Sequence, residues 1–167
     1  MSLQSLSQLL TLLILTAALG NINAAEVLSL SAPPRGIQTL GVEVSEINQD
    51  YRRYGLDETA LAQHVAQQLK KAGFKVVPVE EIGDSPDTAL LRVKLDLVRS
   101  YLGYSYALSV KLIQKLQLAG PHGPLAPVTI WSSTGRSGFL RSGTLPRLRN
   151  YIADAVKEFI EATQASH

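Results

Sequence analysis

From Leu91 to about Leu118 apolar and polar side chains alternate almost without a break. Leu91, Val93, Leu95 and Leu97 share one phase, and Arg92, Lys94 and Asp96 share the other. After a short turn at Tyr101–Gly103, residues Tyr104, Tyr106, Leu108, Val110 and Leu112 resume the pattern against Ser105, Ala107, Ser109 and Lys111. Successive side chains of an extended chain point to opposite faces, so a period of two gathers the apolar residues on one side. The pattern predicts two long strands joined by a tight turn, with one face buried and one face wet.

Such a face needs a cover, and two segments can supply it. Asp57 is a good N-cap with Glu58 in the first turn, and Leu61, Val65, Leu69 and Ala72 recur at helical spacing. Gly73 stands where a left-handed C-terminal cap belongs, which predicts a helix over Glu58–Ala72. A strand within Ile37–Ile47 precedes it and a short strand, Phe74–Val79, follows. Strand, helix and strand form a crossover, so these two strands are expected to be parallel, with room for another strand between them. Ala119–Pro127 reads as a loop, and Val128–Ser133, which carries Trp131, reads as a strand. The Gly- and Ser-rich segment after it leaves room for that strand to resume past a bulge, up to Leu140. Thr144 is the expected N-cap of a last helix, with Pro146 in its first turn. Leu148, Tyr151, Ile152, Ala155, Val156, Phe159 and Ile160 form its apolar stripe. The order β-α-β-β-β-β-α predicts an α+β fold: a two-layer sandwich with a mixed sheet and two amphipathic helices packed on one face.

The first residues follow a different rule. Leu9–Leu19 is an apolar stretch interrupted only by Thr11 and Thr16, shorter than the ~18 residues needed to span a bilayer, and small residues follow up to Ala24. Residues 1–24 are therefore expected to be a signal peptide, 25–36 an extended segment containing Pro33-Pro34, and 37–167 a single domain. No Lys or Arg precedes the run, so an uncleaved leader that anchors the chain in the membrane is the competing reading. Export implies the periplasm, with secretion as the alternative.

Composition narrows the function. Net charge is +2, from 16 basic and 14 acidic side chains, so the chain is no polycation and nucleic acid is not an expected partner. Cysteine is absent, which excludes disulfides, thiolate chemistry and cysteine-based metal sites. His64, His122 and His167 have no spacing that assembles a metal site. Ser137, in Gly135-Arg136-Ser137-Gly138, lacks the spacing of a nucleophile elbow, and the same stretch lacks the Lys-Ser/Thr of a phosphate loop. No enzyme activity, cofactor or metal is expected.

Two patches stand out as candidate binding residues. Tyr51, Arg52 and Tyr54 lie in a polar stretch before the first helix, and Tyr with Arg is the usual composition of a binding hot spot. Arg136, Arg141 and Arg147, with Arg149 close by, flank a Gly-rich segment and a helix start, where guanidinium groups and free N–H groups favour an anion. The first patch predicts a protein partner, with an exposed sheet edge as a second contact surface. The second predicts a small anionic ligand.

The stretch Leu61–Val79, with AQQLKKAGFKVVP at Ala66–Pro78, followed by three strands, Trp131 and the closing segment Arg147–Phe159, resembles small bacterial periplasmic domains. These are the CsgG-like and TolB N-terminal-like set and the auxiliary lipoprotein component of ABC-type lipid transport systems. The resemblance covers about Ile37 to Ala162, and the chain lacks the lipobox cysteine of the lipoprotein members. It implies a non-catalytic accessory protein that binds a protein partner in an envelope assembly, with peripheral association with membrane or cell wall.

Overall fold

The two long alternating strands form the spine of the sheet. The computed structural model describes residues 36–117 and 123–165. The leader, most of the segment 25–36, His122 and His167 lie outside the described residues. The strands are β1 (Thr39–Val44), β2 (Lys75–Val77), β3 (Thr88–Arg99), β4 (Tyr104–Gln117), β5 (Leu125–Ser132) and β6 (Arg136–Leu140). The helices are α1 (Glu58–Lys71) and α2 (Leu148–Gln164). Strand order is β2-β1-β3-β4-β5, with β6 also on β4. β1 is parallel to β2 and β3, whereas β4 is antiparallel to β3, β5 and β6. The result is the expected two-layer α+β sandwich on a mixed sheet.

Local chemistry explains the element ends. The Asp57 carboxylate accepts from the Ala60 N–H at 3.0 Å, capping α1. Gly73 adopts φ +95° just after it, a conformation that residues with a Cβ disfavour. β5 and β6 divide one sheet edge between them, facing Lys111–Gln117 and Tyr104–Leu108. Between them, Ser133 keeps contact with β4: its N–H donates to the Val110 carbonyl at 2.8 Å, and its Oγ accepts from the Val110 N–H at 3.0 Å.

Four boundaries depart from expectation. No strand separates β1 from β2; they pair directly. β5 starts at Leu125, inside the expected loop, because Pro127 sits on an edge strand that can spare one N–H. Thr144 does not cap the last helix. Ser142–Arg147 is a 3₁₀ helix in which the Thr144 hydroxyl donates to the Arg141 carbonyl, and α2 begins only after Pro146, at Leu148. The polar stretch before α1 is also a 3₁₀ helix, the first in the chain, Gln49–Tyr54.

The inner face of the sheet carries Leu40, Leu91, Val93, Leu95, Leu108, Val110 and Leu112, all buried. Against it pack Leu61, Val65 and Leu69 of α1 and Ile152, Val156 and Phe159 of α2. Phe159 lies at the centre, with ring centroids 5.2 Å from Trp131 and 5.7 Å from Phe74. No described α-helix covers the outer face. The link from β2 to β3 crosses it instead, and Ile82 lies over Gly41 so closely that a Cβ on Gly41 would fall 2.0 Å from Ile82 Cδ1.

Candidate functional site

The predicted aromatic patch is dismantled by the fold. Tyr51 is an inward-facing residue of its 3₁₀ helix, 8% exposed, and its ring meets Tyr104 edge-on at 5.6 Å. The expected surface contact through its ring is thereby corrected: in a 3₁₀ helix residues three apart share a face, and Tyr51 and Tyr54 both turn towards Tyr104. Tyr54 is half-buried and also edge-on to Tyr104, at 6.3 Å. The neighbouring Tyr104 hydroxyl lowers the Tyr54 pKa, and the Tyr54 oxygen raises that of Tyr104. Arg52 remains exposed, but its guanidinium lies 3.6 Å from Asp57 and 3.7 Å from Glu58. Glu58 in turn accepts from the Ile47 N–H at 2.7 Å, and that bond, with a smaller contribution from Arg52, holds its carboxyl below the usual range. These side chains lock the first 3₁₀ helix onto α1.

The arginines do not converge either. Arg136 stands at the start of β6 and pairs with Asp154 of α2 at 3.5 Å. Arg141 follows the other end of that strand, about 16 Å further along the chain at the usual rise per residue. Arg147 is exposed at the start of α2. The Arg149 side chain donates to the Gly55 carbonyl at 2.8 Å, tying α2 to the first 3₁₀ helix. Among the described residues no group of His, Asp and Glu could hold a metal ion. No described helix is long and apolar enough to cross a membrane.

Two features of the outer face went unseen in the sequence. The first is a cleft of about 380 Å³ under the β2–β3 link. Leu90 and Ile113, partners across β3 and β4, form its floor, with Val79, Ile82 and Thr129 around it. Its charged groups are neutralised: Arg92 pairs with Glu43 at 2.8 Å and Lys115 with Asp84 at 2.7 Å. Such a cleft offers shape and apolar contact rather than an acid–base pair.

The second lies at the opposite end of the same face. Tyr101 is 100% exposed and Leu102 is 73% exposed at the β3–β4 turn. Val98 (66%) and Phe139 (48%) flank Ser105 in one cross-strand row beside them. Gly103 is pinned beneath, because a Cβ there would lie 2.2 Å from the Leu140 carbonyl oxygen and 2.8 Å from the Phe139 ring. The signal that could have revealed this end is charge distribution. From Leu97 to Ala153 there is no Asp or Glu, against seven Lys and Arg, a bias hidden by the near-balanced total.

No protein-family model matches this chain, and no curated protein matches it in sequence. Among solved structures it is similar to a variant of the PelC dodecamer from Paraburkholderia phytofirmans, at 16% identity and TM-score 0.42, covering 80% of this chain and 92% of that one. The PelC dodecamer of the same organism gives 14% identity and TM-score 0.41, over 80% and 94%. The rare lipoprotein B from Shewanella oneidensis gives 14% identity and TM-score 0.32, over 77% and 95%.

Proposed function

We propose that this chain is a non-catalytic accessory protein of the cell envelope, exported by its leader, that binds a protein partner. The cleft on the open sheet face carries the reading. Its apolar floor suits an apolar side chain of a partner, and its cations are already paired with Glu43 and Asp84. Those pairs weigh against a small anion as occupant, since an anion would compete with carboxylates already in place. Strand addition at an edge is less well supported: β2 is only three residues long, and the other edge carries Pro127 and a break at Ser133–Gly135. The apolar run Leu9–Leu19 supports export to the envelope.

Filling the cleft tests this without removing a core contact. Thr129→Tyr places a ring over Leu90 and Ile113. Crosslinking in intact cells is expected to lose the captured partner while the melting temperature stays within a few degrees of wild type. Undiminished capture by a variant that folds normally would remove the cleft from the account.

A further inference from the structure

We infer that the turn joining β3 and β4 is a membrane-contact tip that inserts Tyr101 and Leu102 into the surface of an anionic bilayer. This goes beyond the partner reading and uses the opposite end of the sheet. The tip is a projecting apolar turn: Tyr101 is fully and Leu102 largely in water, and Val98 and Phe139 extend the apolar surface onto the outer face. Tyr is suited to the lipid headgroup level, with an apolar ring and a polar hydroxyl. Leu and Phe supply the part that leaves water.

The rim is cationic. Arg99 ends β3 next to the turn, and Arg141 follows Phe139 and Leu140 against Gly103. Arg53 stacks over Tyr54, 4.9 Å from the ring centroid, on the Tyr104 side of the same end. None of these three arginines is in an ion pair among the described residues, whereas Arg52, Arg92 and Arg136 all are. An apolar wedge ringed by unpaired Arg complements lipid that carries negative charge. The four apolar side chains fall well short of the roughly 800 Å² per partner of a standard protein interface. A bilayer needs no shape complement, so it fits a small projecting tip better than a second protein does. Leu90 and Ile113 lie eight residues up the hairpin from Val98 and Ser105, so a docked domain would hold its cleft about 26 Å along the sheet from the tip row.

The experiment uses the full chain and two kinds of vesicle, phosphatidylcholine alone and phosphatidylcholine with phosphatidylglycerol. Tyr101→Trp reports the tip directly, because native Trp131 is buried against Phe159 and its emission should not respond. A blue shift is expected with phosphatidylglycerol vesicles, reversed by added salt as screening weakens the cationic rim. Tyr101→Ser with Leu102→Ser, both at exposed positions, should lower co-sedimentation about tenfold. Arg99→Ala with Arg141→Ala should lower it only where phosphatidylglycerol is present. An unshifted Tyr101→Trp emission overturns the proposal. So does wild-type co-sedimentation of the double Ser variant, since the leader would then carry the binding. If emission is unshifted but Tyr101→Ser abolishes capture of a protein in cells, the tip docks protein and the bilayer is ruled out. The Thr129→Tyr result bears only on the cleft, so either reading can fail alone.

Discussion

Replacing Phe159 by Ala should be the most damaging single truncation in the core. The ring is fully buried, and it bridges layers: it sits on α2, faces Trp131 on β5 and touches Phe74 between α1 and β2. Phe→Ala in a packed core costs about 3–5 kcal/mol, from lost transfer energy and the cavity left behind. Both ends of that range apply here in part, since Trp131 can tilt into the space but the strand that carries it cannot follow. For a domain of this size each kcal/mol is worth about 2–4 °C, so the melting temperature should fall by about 6–20 °C. Phe159→Leu, which keeps most of the volume, should cost about 1–2 kcal/mol. Urea titration followed by circular dichroism gives the free energies, and Trp131 emission in the folded variant reports the site. A loss below about 1 kcal/mol for Phe159→Ala, or unchanged Trp131 emission, would show that the two layers do not meet through this ring.

Glu58 should make stability depend on pH. The Ile47 N–H, and less strongly Arg52, lower its pKa in the folded state below the ordinary 4.5. A depressed carboxyl pKa stabilises the fold fully above the unfolded-state value, and that contribution fades as pH falls through the folded-state value. Glu58→Gln should therefore melt below wild type at neutral pH and converge with it in acid; parallel curves across that window would refute the coupling. Gly103→Ala should destabilise by about 2 kcal/mol or more, because the new methyl meets the Leu140 carbonyl rather than a side chain that can swing away. Amide exchange should show β6 opening first in that variant, and uniform protection would contradict the close approach.

Periodicity carried most of the fold. Leu91–Leu112 gave two strands and their faces because the period-two phase is set by the backbone itself. Asp57 and Gly73 marked the ends of α1 because each acts on the backbone a few residues away. Tyr51 was legible only as part of a polar stretch, since its inward stripe, Tyr51 and Tyr54, has the three-residue period of a 3₁₀ helix and is only two residues long. The cleft was invisible for a different reason. It exists where the β2–β3 link lies over Gly41, and a missing Cβ under a loop is a contact between segments remote in sequence. Arg136 and Arg141 looked like neighbours by number, but a strand between them holds them apart.

The charge bias along the chain becomes a spatial one because of the strand order. Most carboxylates precede Leu97, and the strands that follow it, β4 to β6, lie together on one side of the sheet. The two halves touch where the β2–β3 link crosses the outer face, and there Asp84 reaches Lys115, so the cleft is electrically quiet. At the far end of the hairpin the segment Gln49–Tyr54 brings Asp50 to one side, but no described carboxylate forms an ion pair with Arg99 or Arg141. Arg99 and Arg141 consequently keep their charge beside the apolar turn, and the basic field of β4–β6 draws an anionic surface towards the end that has apolar side chains to insert. One open sheet face thus has two chemically distinct ends for a single topological reason: the crossover that builds and neutralises the cleft covers one end only.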